Sequence, residues 1–408
     1  MKEKFIIAGN GITAINAAKA IREINSDVEI HMFGDERYYP YNRIKLSKSL
    51  LDKLEEDALL LQKKDWYEAN GVYLHLNVGV AGIDASNNQI LLNDGSKMGY
   101  DKLLIASGAR NFKPPIAGID NPGIFTIRQL EDAWNIHQSI EGKSSVLNIG
   151  GGIQGLETAW ILHQHGKKVI IAEISNRLMP NQLDQKASRI LLKILKNYNI
   201  DVLLDTQVES IICDKQFECT AKNKGTIKCD MVIYSAGIRP NIEFLRSSPV
   251  DMKRGVIVDR EMRTNIENIY AAGDAAELEG KVTGLWNIAI EQGKAAGYNM
   301  AGRKTEYRQI VPVTTLNAFN ISLFSMGNVN EGEDVYTITE EDAESNLYKR
   351  LFIKNDRIIG AIVIGDTKKS PALKTAIEKE VSLENIDIER ISIDDLMESI
   401  KKVKECKV

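Results

Sequence analysis

Cysteine is scarce in this chain: four in 408 residues, Cys213, Cys219, Cys229 and Cys406. None precedes residue 213 and none forms a C-x-x-C pair, which excludes a disulfide framework, a cysteine-held cluster and dithiol exchange. Redox chemistry would have to fall to a bound cofactor. An excess of one charge is also missing. Lys and Arg total 52 against 56 Asp and Glu, and the net charge of −4 gives no electrostatic case for nucleic acid or a polybasic membrane anchor. No apolar run nears the ~18 residues of a membrane span, and the most apolar stretch, residues 358–364, contains Gly360. Between Lys4 and Gly9 stand only Phe5, Ile6, Ile7 and Ala8, short of the ~7–15 apolar residues of a signal peptide. A cytoplasmic location is expected, with no membrane and no nucleic-acid partner. Low-complexity tracts and solenoid-period repeats are absent.

What is present is enough apolar sequence for large cores: 43% hydrophobic with 26% charged. At ~100–200 residues per domain this predicts two or three domains. The run Phe5–Ala8 ends at Gly9, and residues 12–24 carry helical apolar spacing, followed by a second strand over 28–33. The same grammar returns as a strand over 145–149, three glycines, a helix through Gln164 and a strand over 168–172. Right-handed crossovers force each unit into a parallel sheet buried on both faces. Residues 111–123, with Pro114, Pro115 and Pro122, read as an extended connection. Beyond Gly302 the chain turns to β-branched runs, one over 317–326 and two flanking a turn at Asn355-Asp356. Residues 370–381 and 393–403 read as closing helices. The expected fold class is α/β, two Rossmann-like domains plus a small C-terminal α+β domain. The expected boundaries are 1–110 with 241–310, then 111–240, then 311–408.

Both glycine turns have a chemistry. Gly9, Gly11, Ile12, Thr13 and Ala14 fit G-x-G-x-x-G/A: one glycine permits the tight turn, the next lets backbone approach a pyrophosphate, and the small third residue lets helix pack on strand. Asp35 and Glu36 follow the second strand, about 20 residues on, where a ribose-binding acid belongs. Gly150, Gly152, Ile153, Gln154 and Gly155 fit the full pattern, with Glu173 ending the next strand. A carboxylate there favours NADH over NADPH, and Arg177 is the one nearby cation that would suit a 2′-phosphate. Two dinucleotide sites pair most economically as a tightly held FAD and an exchanging NADH.

Three further stretches carry a family resemblance. Residues 269–274, Ile-Tyr-Ala-Ala-Gly-Asp, resemble the second flavin motif of FAD-dependent pyridine nucleotide reductases; residues 104–109 resemble their ATG-type turn, and 235–240 its counterpart closing the NAD domain. The resemblance covers about residues 1–305. Residues 39–48, Tyr-Pro-Tyr-Asn-Arg-Ile-Lys-Leu-Ser-Lys, resemble the cysteine-free signature of the ferredoxin and rubredoxin reductase branch. Residues 177–184 and 285–293 add a likeness to NADH:rubredoxin oxidoreductases and to the flavin portion of bacterial nitrite reductases. This implies FAD-binding domains at 1–110 and 241–310, an NAD-binding domain at 111–240 and an interface domain at 311–408.

For the site, the resemblance implies that Asp35 and Glu36 hold the adenosine end of FAD, with Val80 at its adenine. Arg43, Lys48, Ala106, Ser107, Gly108, Arg110, Gly273, Asp274 and Trp286 fall on the flavin, and Gly237 on the nicotinamide nucleotide. Ser107 stands where the family has Thr and keeps the hydroxyl. Lys48, a cation at the flavin, and Glu157, a carboxylate at the nicotinamide, are the expected catalytic pair. No metal site is expected. The reaction implied is hydride transfer from NADH to FAD, then single electrons to a small acidic iron-sulfur or rubredoxin-type carrier. Arg37, Arg43, Lys45, Lys63 and Lys64 are the candidate docking cations, and the protein is expected to be a monomer or homodimer. Two other readings are an NADH oxidase or flavin donor to a nitrite reductase system, and a redox-sensing flavoprotein acting through a partner.

The remaining features read as structural. His163 and His165 precede Gly166 at a helix end and read as caps. Cys213, Cys219 and Cys229 read as buried packing. Ala187, Ile190, Leu191, Ile194, Leu195 and Tyr198 form a core stripe. The stripe Ile393, Leu396, Met397, Ile400, Val403 docks either on its own domain or on a partner subunit.

Overall fold

The computed structural model describes residues 2–52, 54–222, 224–342, 344–384, 386–388 and 390–405, without the side chains of 401–405. Cys406 and the Val403 side chain lie outside the described residues. Two compact units account for the described chain, one within residues 1–46, 53–112 and 237–309 and the other within 47–52, 113–236 and 310–408.

The first unit is built on a five-stranded parallel sheet in the order Ile269–Ala271, Lys102–Ile105, Lys4–Ala8, Glu29–Gly34, Val72–Leu76. The strand carrying the first glycine turn lies at its centre. Phe5, Ile6 and Ile7 are at most 1% exposed, as expected for a strand covered on both faces. The helix Ile12–Ile24 buries Ala14, Ile15, Ala17, Ala18 and Ile21. It meets the helix Trp286–Met300 at Gly293 and Gly297, where a Cβ would run into the Thr13 and Ala17 carbonyls.

The second unit repeats this plan. Its parallel sheet runs Asp201–Leu203, Lys168–Ala172, Ser145–Ile149, Met231–Tyr234, Ile124–Phe125, again with the glycine-turn strand central. A three-stranded antiparallel sheet, Val208–Cys213, Phe217–Ala221 and Gly225–Cys229, packs with it around Leu147, Ile211 and Val232. Cys219 and Cys229 are buried in that cluster, but Cys213 is exposed, so the packing reading holds for two of the three. Cys213 ends its strand, where the alternation lapses and Ile212 and Cys213 are both exposed.

The same unit holds a five-stranded antiparallel sheet, Val313–Ala318, Ile321–Gly327, Arg357–Ile364, Leu347–Lys354, Tyr336–Asp342. The helices Ser370–Glu378 and Ile393–Glu405 cover it. Ile393, Leu396, Met397 and Ile400 join Leu351, Ile353 and Val363 in one core, so this stripe docks on its own sheet. The Asn355-Asp356 turn forms with both residues at positive φ. The run over 317–326 is not one strand: Phe319 and Asn320, at φ 55° and 54°, turn it into a hairpin. The cost of a left-handed aromatic is offset by burial, since the Phe319 ring packs 5.2 Å from Trp160 and near Tyr198.

A buried polar cluster ties the helix Gln185–Asn197 to the antiparallel sheet. Asp184 caps the helix by accepting from the Ala187 amide at 2.7 Å, and its other oxygen accepts from Tyr348 Oη at 2.6 Å and Arg350 Nη1 at 2.9 Å. Glu331 also faces Arg350, at 2.7 Å. The Asp184 and Arg350 side chains are only 8% and 16% exposed. Removing Asp184 leaves Arg350 only the exposed Glu331 as a counter-charge among the described residues and deprives Tyr348 and the helix cap of their acceptor. Asp184→Ala is expected to lower stability by about 3 kcal/mol in urea unfolding, with part of the loss recovered when Arg350→Met is added.

Candidate functional site

Each glycine turn closes because one backbone passes against another. Gly9 sits at φ 122° and Gly150 at φ 113°, and a Cβ on either would collide with the carbonyl of Ala106 or Ser235 on the neighbouring strand. The helices that follow start at Gly11 and Gly152, and neither N-terminus has a side-chain cap. A Cβ at either position would meet nothing within 4 Å. Uncapped amides facing open space, at the positive end of helices of 13 and 12 residues, suit a pyrophosphate. Around the second turn the buried Asn148 Oδ1, Thr158 Oγ1 and Ser235 Oγ have no hydrogen-bond partner among the described residues. Asn148 Nδ2 holds the loop by donating to the Gly150 carbonyl at 2.8 Å. The residues present therefore fit two dinucleotides.

Of the three acids at the strand ends, Glu36 and Glu173 are already engaged. Glu36 is buried and accepts from Tyr41 Oη at 2.6 Å and from Arg43, whose Nη1 also donates to Tyr41 Oη at 3.0 Å. Asp35 is exposed. Beside it, Val78 and Asn77 donate backbone bonds to Gly34 and Glu36, which brings Val80 to the same edge. Glu173 is 7% exposed and accepts from the Gly151 amide at 2.6 Å and the Ser175 amide at 2.7 Å, so it braces the glycine loop it follows. Each oxygen keeps a second lone pair for a ribose hydroxyl. Gln154 Nε2 donates to the Ile127 carbonyl at 2.7 Å, while Ile153 and Gly237 border open space.

In the first unit the short strands Ala109–Asn111 and Ile238–Pro240 pair antiparallel, and beside them Ser107 Oγ donates to the Asn241 carbonyl at 2.6 Å while Asn241 returns a bond to the Ser107 carbonyl at 3.2 Å. Gly108 lies in this turn and Ala106 is buried beneath it. Arg110 is paired bidentately with Glu243, whose carboxyl it holds below the ordinary range. Gly273 donates to Gln292 Oε1 at 2.9 Å and abuts Thr13, so Asp274 stands at the start of the first glycine-turn helix. Trp286, half-buried, begins its own helix.

The expected Lys48 and Glu157 pair forms. Lys48 Nζ is 3.7 Å from Glu157 Oε1, and Ser47 Oγ donates to Oε2 at 2.8 Å. Residues 47–52, though flanked in sequence by the first unit, belong with the second, as Glu157 does. Burial pushes the Glu157 carboxyl above its ordinary value, and the Ser47 and Lys48 contacts oppose this.

Of the five candidate docking cations, Arg43 is withdrawn: it is partly buried and turned onto Glu36. Arg37, Lys45, Lys63 and Lys64 are exposed, with Lys64 paired to Asp57 at 3.0 Å. His165 Nδ1 donates to the Ile161 carbonyl at 2.8 Å, as a cap should, whereas His163 stacks on Trp160 instead. No group of three or more metal-ligating side chains occurs among the described residues, and no described helix is long and apolar enough to cross a membrane. Tyr41 and Ser47 lie inside the signature segment 39–48 and Gln292 inside 285–293, though the sequence assigns none of them a role; Asn241 lies in no motif.

Residues 3–293 match the family model described as pyridine nucleotide-disulphide oxidoreductase, and the chain belongs to that family, which works with FAD and a pyridine nucleotide. Residues 312–381 match a second model, the rubredoxin NAD+ reductase C-terminal domain. An NADH-rubredoxin oxidoreductase of Clostridium acetobutylicum is 32% identical over 97% of this chain and 99% of its own. The crystal structure bearing that enzyme's name superposes with a TM-score of 0.79, covering 97% of this chain and 99% of that one. A nitrite reductase [NAD(P)H] of Bacillus subtilis is 33% identical over 94% of this chain and 48% of its own; an assimilatory nitrate reductase electron transfer subunit of the same organism is 32% identical over 93% and 50%. The chain spans about half the length of these two relatives.

Because the Glu157 carboxyl is raised by burial, its contribution to stability is whole in acid and is lost as pH rises through the raised value. Glu157→Gln is expected to match the wild type in acid and to gain on it at neutral pH, in melting curves of the FAD-loaded protein. A difference that does not vary with pH would contradict the buried charge.

Proposed function

We propose that the protein is an FAD-dependent NADH oxidoreductase that takes a hydride from NADH and passes single electrons to an iron-centre carrier, with rubredoxin the first candidate. The observation that carries this reading is the segment 39–48: it brings Lys48 to Glu157 and contains no cysteine, so electrons have no thiol to settle on and must leave for an outside acceptor. Bound FAD supplies the exchange between a two-electron donor and a one-electron acceptor.

The chain's own residues do the rest. The turn Gly9–Ala14 and the amides of the Ile12 helix take one pyrophosphate, and Gly150–Gly155 with the Ile153 helix take the other. Asp35 and Glu36 serve the adenosine of FAD with Val80 at its adenine, while Glu173 accepts from the NADH ribose. Residues 1–110 and 241–310 form the FAD domain, 111–240 the NAD domain and 311–408 the interface domain in this reading. Ser107, Arg110, Gly273, Asp274 and Trp286 line the flavin side. Lys48 sets a cation at the flavin, and Glu157 accepts from the carboxamide of the nicotinamide and fixes its pose. Arg37, Lys45, Lys63 and Lys64 offer a basic face to an acidic carrier. The relationship to the Bacillus nitrite reductase favours one second reading, a flavin donor to a nitrite-reducing partner.

Anaerobic stopped-flow mixing with NADH and then rubredoxin tests both halves. Fast flavin bleaching followed by fast rubredoxin reduction, slowed by added salt, is the expected result. Fast bleaching with inert rubredoxin would overturn the acceptor and send the test to a nitrite-reducing partner. Lys48→Met and Glu157→Gln should each slow bleaching by at least ~10-fold; unaltered rates would remove them from the hydride step. Glu173→Gln should raise the apparent NADH constant by roughly tenfold while narrowing the preference over NADPH, and an unchanged preference would overturn that role.

A further inference from the structure

Glu157 is gripped at both oxygens by two residues adjacent in sequence, neither of them on its own helix. The two grips differ in kind. Ser47 is 6% exposed and its hydroxyl donates at 2.8 Å, a bond sheltered from water. The Lys48 side chain is 48% exposed and its ammonium stands 3.7 Å away, where solvent weakens the attraction. A sheltered donor at hydrogen-bond length fixes the direction of a carboxylate; a solvated cation sets its charge environment without fixing the angle. The strands packed on the Glu157 helix, Ser145–Ile149, Lys168–Ala172 and Val313–Ala318, set no further charged group against it among the described residues.

We propose that Ser47 is a positioning residue for the nicotinamide step, its hydroxyl keeping Glu157 ionised and aimed so that the carboxylate can accept from the carboxamide. This rests on the reading of Glu157 given above. A carboxamide offers N–H donors, which a carboxylate accepts; a protonated acid presents an O–H of its own and loses that match. Without Ser47, burial is opposed by Lys48 alone, so Glu157 takes up its proton at higher pH. The role is neither binding nor chemistry at the reacting atoms. It sets the pH range over which the pair is ready.

Two measurements on the FAD-loaded protein test this. Infrared difference spectra across a pH titration follow the carboxyl band that Glu157→Gln removes, and stopped-flow bleaching by NADH gives the pH profile of flavin reduction. Ser47→Ala should move both midpoints upward by about one pH unit, with the maximal rate at high pH reduced less than the rate near neutrality. Ser47→Thr, which keeps the hydroxyl, should restore both. Where the alanine variant loses FAD, Ser47→Cys, near in size with a weak donor, should give the same upward shift. An unmoved carboxyl midpoint in Ser47→Ala or Ser47→Cys overturns the proposal, as does a uniform loss of rate at every pH. Unaltered bleaching in Glu157→Gln would instead overturn the role of Glu157 at the nicotinamide, while the infrared midpoint would still report whether Ser47 controls its proton.

Discussion

Two close passages of backbone, Gly9 against the Ala106 carbonyl and Gly150 against the Ser235 carbonyl, are the constraint on which the rest is arranged. Both glycines take positive φ, and both stand where the central strand of a parallel sheet gives way to a helix. A side chain at either would push the helix off the strand. With none, the helix N-terminus is carried to the carboxyl end of the sheet with its first amides unclaimed. In open parallel sheets that end is where ligands bind. The acids that follow the next strands, at 36 and 173, are each brought to the carboxyl end of their own sheet by register, since each neighbouring strand pairs residue for residue with the central one.

Three carboxylates, one in the first unit and two in the second, share a second property: none is a bare charge waiting for a ligand. Glu36 leans on Tyr41 and Arg43, Glu173 on two backbone amides, Glu157 on Ser47 and Lys48. A buried carboxylate without such support would take a proton or turn away. Each is thus oriented before any nucleotide arrives, so less ordering is needed on binding. The same holds beside the strands Ala109–Asn111 and Ile238–Pro240, where Ser107 and Asn241 clasp each other.

How much of this is legible in the sequence depends on the range of the interaction. The parallel strands and their helices follow from local signals, and the strand at 145–149 and the helix at 12–24 fall where periodicity and glycine put them. The Asn355-Asp356 turn is equally local. The Phe319-Asn320 turn is not, because an aromatic at positive φ is tolerated only through Trp160 and Tyr198, far away in the chain. Pairings across long loops escape for the same reason: Arg110 with Glu243, Arg350 with Asp184, Ser47 with Glu157. Arg43 reads as a surface cation until the structure shows Glu36 facing it. The Lys48 and Glu157 contact was expected from family resemblance, since nothing in composition or spacing relates two residues so far apart.

The six residues 47–52 belong to one compact unit while the chain on either side of them belongs to the other. A recombinant fragment cut at the sequence boundaries of the nucleotide unit, from 113 onward, would leave its buried Glu157 without either partner. A chimaera that exchanged this unit between relatives would need a third splice to bring the short loop along. Any exchange of contiguous sequence therefore parts Glu157 from both partners unless the short loop travels with it.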